Sequence, residues 1–454
     1  MSALTPVAII PRKSNYRTDN LIQMSSQLNN QLLIENSQEV QLVIGKKPIE
    51  VNIQIKEMES NEILFPENLY SEFYLPVKQI KFHARYSNDI HTLHLGPVIA
   101  LLTDIKTSGK EVPHFRSIHS FCEELHHGIS ENGGFFYVFT YRNFTAQGYF
   151  FDNGKWHSFV PPLPDVIYNR IHSRRLEYAD DFAIFRKKLI ELNIPYFNDR
   201  YLSKWEVHDR LINENHLQPH IPETKIFSKE NLVDFIKRHE TVFIKPIHGS
   251  QGRNIFKLIK EKDLYSIKSS ITSKPEEFSN PFRLEDIYQH IQPLLNNRIY
   301  ILQQGISLTA YESRGMDFRV LCHKTVNNNW HVTSVVARIS AEDEFVSNIA
   351  RGGEILAPLI ALGSLMSKKD AKETLTRMKD LSIETAAALS FQSPGIIGEL
   401  GIDIGIDQEG NPWLIEVNSK PSKNFDDGLL KIRPSAKAII QFCTMLAFDT
   451  SLCN

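Results

Sequence analysis

The chain has 454 residues, of which 42% are hydrophobic and 23% are charged, and its formal net charge is −2. At roughly 100–200 residues per domain, this length predicts two to four globular domains. The balanced charge gives no electrostatic basis for binding nucleic acid, and the four cysteines form no CxxC pair, which argues against a disulfide framework or a zinc knuckle.

The start of the chain and its hydropathy give no sign of export or of membrane insertion. The first apolar run, Val7–Ile10, is short and follows no basic region, so we expect no signal peptide. No stretch reaches the roughly 20 apolar residues of a membrane span. We therefore expect a cytoplasmic protein without a membrane span.

Three units are predicted before residue 196. Residues 1–37 are polar and are expected to form an N-terminal segment with little regular structure beyond a short helix. Residues 38–90 contain alternating apolar runs, which predict a small β-rich domain with a scaffold or docking role. Residues 91–195 alternate strand and helix patterns, with a hairpin at Asp152-Asn153-Gly154, which predicts an α/β domain. Asn169-Arg170 ends a predicted strand there and either lines a site or forms an ordinary turn.

A lysine and a glycine-bearing loop follow one strand of the last unit, residues 196–454. The buried strand Thr241–Pro246 ends near Lys245, and His248–Asn254 follows it with two glycines. A fixed positive charge beside backbone N–H groups suits the oxygens of a phosphate. The loop matches neither GxxxxGK[ST] nor GxGxxG, so an ordinary hairpin turn is the alternative.

Three polar residues stand out on the last predicted hairpin, which follows a helix over Ser367–Ser390 capped by Ser367. Asp403 lies on its first strand, and Glu416 and Asn418 lie two apart on its second, so the last two share one face. Two carboxylates and an amide are hard ligands of the kind Mg²⁺ prefers. A solvated edge hairpin is the alternative, but the neighbouring residues are apolar, and the acids would then be half-buried like charges.

Two arginines occur on facing strands of another predicted hairpin. Arg319 and Arg338 have strongly apolar neighbours. Arginine binds phosphate and carboxylate groups in a bidentate manner, which favours a role for both in the chemistry. Structural salt bridges are the alternative for each.

The order and spacing of several segments resemble the ATP-grasp superfamily, and more narrowly its YheC/YheD-type endospore coat-associated proteins. The matching segments are SKWEVH at 203–208, FIKPIHGSQGRNIF at 243–256, YILQQGISL at 300–308, DFRVLCHK at 317–324, VVARIS at 335–340, NIARGGE at 348–354 and GELGIDIGIDQEGNPWLIEVNSKP at 398–421. The resemblance implies a chain of class α+β / α/β. An ATP-grasp domain would occupy residues 196–454, with two α+β lobes at about 196–305 and 306–454. A pre-ATP-grasp α/β domain at 91–195 and the small N-terminal β-rich domain would precede it.

The resemblance also implies roles for individual residues, with ATP and Mg²⁺ as cofactors. Lys204 and Lys245 would contact the phosphates of ATP, and Arg319, Arg338 and Lys245 would be catalytic. The remaining assignments are a flap over the triphosphate (His248, Gly249, Ser250, Gln251, Gly252), a hinge that reads adenine (Gln303, Gln304, Gly305, Ile306), Mg²⁺ ligands (Asp403, Glu416, Asn418) and a substrate loop (Asn348, Arg351, Gly352, Gly353). At Gln304 and Gly305 many superfamily members carry a carboxylate and an aromatic residue instead.

The function implied is an ATP- and Mg²⁺-dependent ligase that activates a carboxylate as an acyl phosphate for attack by an amine or a thiol. Its substrates would be small-molecule or peptide carboxylates and amines, with spore-coat proteins as further partners and a spore-coat or forespore-surface association. Two alternatives stay open: a structural spore-coat protein with a vestigial nucleotide site, and an ATP-dependent small-molecule kinase. The sequence contains no GxSxG element that would support serine-hydrolase chemistry.

Overall fold

A computed structural model describes most of the chain. The described residues are 4–14, 19–34, 39–58, 61–105, 113–249, 252–262, 264–270, 282–295, 298–342, 352–423 and 431–449. None of the helices within these ranges is both long enough and apolar enough to cross a membrane.

The first elements form a closed barrel with strand order β1-β5-β2-β4-β3-β7-β6. They are β1 (Thr5–Arg12), β2 (Leu21–Met24), α1 (Ser26–Leu32), β3 (Glu39–Ile44), β4 (Lys47–Ile55), β5 (Glu62–Pro66), α2 (Glu67–Glu72), β6 (Ile80–Ser87) and β7 (Thr92–Gly96). The expectation of little regular structure in residues 1–37 was wrong, because β1 closes the barrel against β6. Prolines at both ends of β1 hid its alternation, in which Val7 and Ile9 are buried.

A six-stranded sheet follows, with strand order β11-β10-β9-β8-β12-β13. Its elements are β8 (Val98–Leu102), α3 (His119–Asn132), β9 (Phe135–Phe139), β10 (Gly148–Asp152), β11 (Lys155–Phe159), β12 (Val166–Asn169), α4 (Arg174–Glu177), α5 (Asp180–Glu191) and β13 (Tyr196–Phe197). The predicted hairpin at residues 152–154 is confirmed by β10 and β11. Strands β8, β9 and β12 are parallel, so their carboxyl ends meet at one edge of the sheet.

The next segment contains an antiparallel five-stranded sheet, with strand order β14-β18-β15-β16-β17, and three helices. Its elements are α6 (Lys204–Leu211), β14 (Thr224–Ile226), α7 (Lys229–Arg238), β15 (Thr241–Pro246), β16 (Phe256–Glu261), β17 (Leu264–Ser269), α8 (Leu284–Ile291) and β18 (Tyr300–Gln304). Apolar residues of α7, among them Phe235, share a core with Val242 and Ile244 of β15. This packing leaves the alternate residues of β15, including Lys245, on the opposite face of the sheet.

A second antiparallel sheet, called here the C-terminal sheet, has strand order β22-β21-β20-β23-β24, with β19 paired to β20. The remaining elements are β19 (Ala310–Tyr311), β20 (Arg314–Lys324), β21 (Trp330–Ile339), β22 (Glu354–Leu356), α9 (Pro358–Gly363), α10 (Lys368–Phe391), β23 (Glu399–Ile406), β24 (Pro412–Asn418) and α11 (Pro434–Phe448). The helix predicted after Ser367 is confirmed as α10, with Ser367 as its N-cap. Phe318, Ile402 and Ile404 face the core shared with α10, so the alternate positions of the same strands face away from it.

Candidate functional site

Lys204 and Glu416 meet in a cleft between the five-stranded sheet and the C-terminal sheet. Lys204 is the first residue of α6, which begins there because the Ser203 hydroxyl caps it. Its Nζ lies 2.9 Å from Glu416 Oε1 and donates to the Gly249 carbonyl oxygen at 3.3 Å. One ammonium therefore joins the predicted flap to a predicted metal ligand. Apolar side chains such as Leu414 also line the cleft.

Lys245 lines the same cleft from β15. Its Nζ donates to Gln303 Oε1 on β18 at 2.6 Å. Burial lowers the pKa of Lys245 from 10.5 to about 8, against the attraction of Glu416, which acts to raise it. A desolvated ammonium held by one neutral partner gains more from an anionic ligand than a hydrated one does. The cleft therefore favours an anion beside Lys245.

Strand pairing places a row of charged side chains on the outer face of the C-terminal sheet. Asp317 of β20 pairs with Arg338 of β21, and Arg319 of β20 pairs with Asp403 of β23. Asp403 in turn pairs with Glu416 of β24. Residues directly opposite in an antiparallel pair point to the same face, so the row runs across four strands and ends in the cleft.

The side chains of this row are linked by ion pairs. Arg338 binds Asp317 through two hydrogen bonds of 2.6 and 2.7 Å, and its Nη2 lies 3.1 Å from Asp403 Oδ2. Arg319 also binds Asp403, through its Nε and through its Nη2, the latter at 3.1 Å. The alternative of structural salt bridges is therefore realised for both arginines, and their catalytic role stays a prediction.

Both acids of this hairpin have basic partners, so they are not the half-buried like charges that the solvated-edge alternative implied. Asp403 is paired by two arginines, and Glu416 is paired by Lys204. Burial alone would raise the pKa of Asp403, but Arg319 and Arg338 outweigh that effect, and the net pKa is lowered. The carboxylate therefore stays ionised at neutral pH, as a cation ligand must be.

The predicted flap is described in part. His248 is exposed, and its Nδ1 lies 3.0 Å from Arg174 Nη1. Partial desolvation of the ring by its neighbours lowers the pKa of His248, and the charges of Arg174 and Lys204 act in the same direction, so the ring is neutral near pH 7. Gly252 has a φ of +64°. Ser250 and Gln251 lie outside the described residues.

The predicted hinge has already used two of its backbone donors. The N–H of Gln304 donates to the Glu223 carbonyl, and that of Gly305 donates to the Thr241 carbonyl, each at 2.8 Å. Gly305 must be glycine, because a Cβ there would lie 2.4 Å from Thr241 Cγ2. This contact explains why no aromatic residue occupies the position. The Ile306 carbonyl accepts from Leu308 at 2.9 Å, and the reading of adenine by residues 303–306 stays a prediction.

Two glycines of the predicted substrate loop lie next to β22, the edge strand of the C-terminal sheet. Gly352, with a φ of +86°, and Gly353 lead directly into β22, where Ile355 pairs with Arg338. Asn348 and Arg351 lie outside the described residues. The two glycines are therefore near one arginine of the row, and a role in substrate binding stays a prediction.

The comparison with protein-family models decides the family. Residues 193–446, more than half of the chain, match the family described as YheC/D like ATP-grasp. The chain belongs to this ATP-grasp family. The match confirms the family resemblance inferred from the sequence motifs, and the mixed α and β architecture of the four units agrees with the predicted fold class.

Individual relatives of this ATP-grasp protein are more distant. Endospore coat-associated protein YheD of Bacillus subtilis is 26% identical over 389 residues, which cover 84% of each chain. Endospore coat-associated protein YheC of the same organism is 22% identical over 310 residues, covering 66% of this chain and 81% of YheC. Among solved structures, D-alanyl-alanine synthetase A of Vibrio cholerae aligns over 78% of this chain and 98% of its own, with 13% identity and a TM-score of 0.43.

The three predicted metal ligands of this ATP-grasp domain are brought together. Asp403 and Glu416 are opposite each other on the ladder, and the side-chain amide of Asn418 lies 3.3 Å from Asp403 Oδ2. Across the described ranges, no group of three or more His, Cys, Asp or Glu side chains forms a metal cluster. The set of two carboxylates and one amide fits Mg²⁺ in donor type, and a cation there would share these oxygens with Lys204 and Arg319.

Asp317 is the residue of the charged row that the sequence analysis missed. Its two hydrogen bonds to Arg338 hold that guanidinium beside Asp403. The available signal was the spacing of Asp317 and Arg319, two apart on one strand, with Arg338 on the facing strand.

Proposed function

We propose that this protein is an ATP- and Mg²⁺-dependent ligase that activates a carboxylate as an acyl phosphate for attack by an amine or a thiol. The observation that carries the proposal is the joint placement of Lys204, Lys245 and Glu416 in one cleft, continuous with the charged row through Asp403. Lysine cations on one side and carboxylates able to bind a metal ion on the other suit a nucleoside triphosphate between them.

The side chains of the cleft would act by positioning and by neutralising charge. Lys204 and Lys245 would bind phosphate oxygens, and the negative charge of the phosphates would offset the desolvation that lowers the pKa of Lys245. Arg319 and Arg338 would orient the γ-phosphate and the substrate carboxylate. Asp403, Glu416 and Asn418 would hold Mg²⁺, which supplies charge neutralisation at the phosphates when bound.

The proposed reaction has two steps. An oxygen of the substrate carboxylate attacks the γ-phosphorus of ATP, ADP leaves, and an acyl phosphate forms. The amine or thiol then attacks the acyl carbon, phosphate leaves, and the nucleophile loses its proton to solvent. The products are an amide or thioester, ADP and phosphate, and no covalent bond to the protein is needed.

The substrates we propose are small-molecule or peptide carboxylates and amines. This class of substrates is the one that the ATP-grasp family match implies. A spore-coat setting, with coat proteins as partners, is proposed from the descriptions of YheD and YheC.

Phosphate release with Mg²⁺ and ATP, against a panel of carboxylates and amines, tests the proposal. We expect release that depends on one carboxylate–amine combination in the native protein and a loss of at least about a hundredfold in Lys245→Met. Lys260→Met is the matched control, because Lys260 is exposed on β16 of the same sheet. Phosphate release that is equal in the native protein and Lys245→Met would refute the assignment of Lys245.

A structural spore-coat protein is the second candidate, favoured by the ion pairs of Asp403 and Glu416, which need no metal to satisfy both acids. It predicts no phosphate release with any substrate and no thermal shift with nucleotide. A small-molecule kinase, the third alternative from the sequence, would instead form a stable phosphorylated product and no free phosphate.

A further inference from the structure

Ser117, His172 and Asp104 form a cluster at the carboxyl edge of the six-stranded sheet. Asp104 follows β8 by two residues, His172 follows β12 by three, and Ser117 lies two residues before α3. Because β8 and β12 are parallel neighbours, these strand ends lie side by side. The cluster shares no residue with the proposed ligase site.

The three side chains are connected in series. Ser117 Oγ lies 3.1 Å from His172 Nε2, and His172 Nδ1 lies 3.2 Å from Asp104 Oδ1. The backbone N–H of His172 donates to the same carboxylate oxygen at 2.7 Å, which fixes the carboxylate relative to the ring. Arg116 Nη2 lies 2.7 Å from the other oxygen of Asp104.

The neighbours of the imidazole select one tautomer. Burial alone would raise the pKa of Asp104, but His172 and Arg116 outweigh this effect and the net pKa is lowered. The carboxylate is therefore ionised and can only accept hydrogen bonds. The Thr103 hydroxyl, 3.3 Å from Nδ1, donates to the Arg170 carbonyl and is likewise left to accept from the ring. Both contacts place the proton on Nδ1. Nε2 is then free to accept the hydroxyl hydrogen of Ser117.

We propose that Ser117 is a nucleophile for acyl transfer from small activated esters, with His172 as its base and Asp104 as the group that orients the base. The arrangement is recognised by its geometry and needs no GxSxG element. Ser117 is exposed, so a substrate can reach it. It also lies close to the N-terminus of α3, whose dipole favours developing negative charge.

The proposed reaction has an acylation stage and a hydrolysis stage. Ser117 Oγ forms a bond to the acyl carbon while its proton moves to His172 Nε2. The leaving alcohol takes that proton as its bond to carbon breaks, which leaves an acyl ester on Ser117. Water then attacks the acyl carbon and gives a proton to His172 Nε2. That proton passes to Ser117 Oγ as the ester bond breaks, and the carboxylic acid is released.

A fluorophosphonate probe and p-nitrophenyl acetate test this proposal on the full chain without nucleotide, so the result is independent of the ligase proposal. We expect the probe to modify Ser117, located by mass spectrometry, and the native protein to hydrolyse the ester. Ser117→Ala should lose both activities, and His172→Gln should lose at least about a hundredfold in each. The controls Ser120→Ala and His157→Gln, an exposed serine and an exposed histidine outside the cluster, should keep native rates.

Two results would overturn the assignment. One is a native protein that the probe does not modify under conditions that label a known serine esterase. The other is a Ser117→Ala variant that hydrolyses the ester at the native rate. Because Ser117 is exposed, its replacement should leave the thermal unfolding midpoint unchanged, and this variant decides the outcome even where His172→Gln fails to fold.

Discussion

Replacing Lys245 with methionine measures the cost of holding a desolvated ammonium in the cleft. Burial lowers the pKa of Lys245 from 10.5 to about 8. At about 1.4 kcal/mol per pKa unit, this shift corresponds to about 3 kcal/mol of lost stability at neutral pH. Methionine removes the charge but leaves Gln303 without its donor, which costs about 1 kcal/mol. We therefore expect Lys245→Met to raise the free energy of unfolding by about 2 kcal/mol at pH 7.

The same shift predicts how this difference varies with pH. Below about pH 8 the lysine is protonated in both the folded and the unfolded chain, so its cost is constant. Between about pH 8 and 10.5 the unfolded chain binds more protons, so native stability rises with pH. The variant lacks this rise. Its free energy of unfolding should therefore no longer exceed that of the native protein at the upper end of that pH range.

Urea unfolding followed by circular dichroism at pH 7 and pH 10, without nucleotide, measures the difference. Lys260→Met should behave as the native protein does at both pH values, because Lys260 is exposed. A Lys245→Met variant less stable than the native protein by 2 kcal/mol or more at pH 7 would refute the reasoning. It would mean that attraction to Glu416 and Asp403 exceeds the desolvation cost.

Three further substitutions test the surrounding structure by the same unfolding assay. Arg338→Met leaves buried Asp317 without its bidentate partner and should cost about 3–5 kcal/mol, much of which the added change Asp317→Asn should restore. Gly305→Ala should destabilise by at least about 1 kcal/mol through its contact with Thr241, whereas an unchanged free energy would show that the hinge can shift. Ser367→Ala should cost about 1 kcal/mol by uncapping α10, and no loss would contradict its role as N-cap.

Local patterns predicted the parts of the fold where they were strong. The alternation around Asp403 and Glu416 predicted β23 and β24, and Ser367 marked the start of α10. The barrel was predicted only in part, because prolines interrupt the alternation of β1, β2 has four residues, and both strands are completed by partners distant in the chain. Long-range pairing of this kind has no local signal.

The candidate site was predicted in its residue types and only partly in its contacts. Strand periodicity placed Glu416 and Asn418 on one face, but it could not show that Lys204 pairs with Glu416 from 212 residues away. The bonds of Arg338 to Asp317 depend on the register of two strands, which is fixed by tertiary packing. The cluster around Ser117 joins three separate segments of the chain and has no sequence motif.

Calorimetric titration of the protein with ATP in the presence of Mg²⁺ tests the central claim most directly, because that claim is a nucleotide site between Lys204, Lys245 and the acids. We expect one nucleotide to bind per chain, with affinity at least about tenfold weaker in Lys204→Met, since a charge-assisted hydrogen bond contributes roughly 1.5–3 kcal/mol. Lys260→Met should bind as the native protein does. Absence of binding by the native protein, or equal affinity in Lys204→Met, would contradict the account.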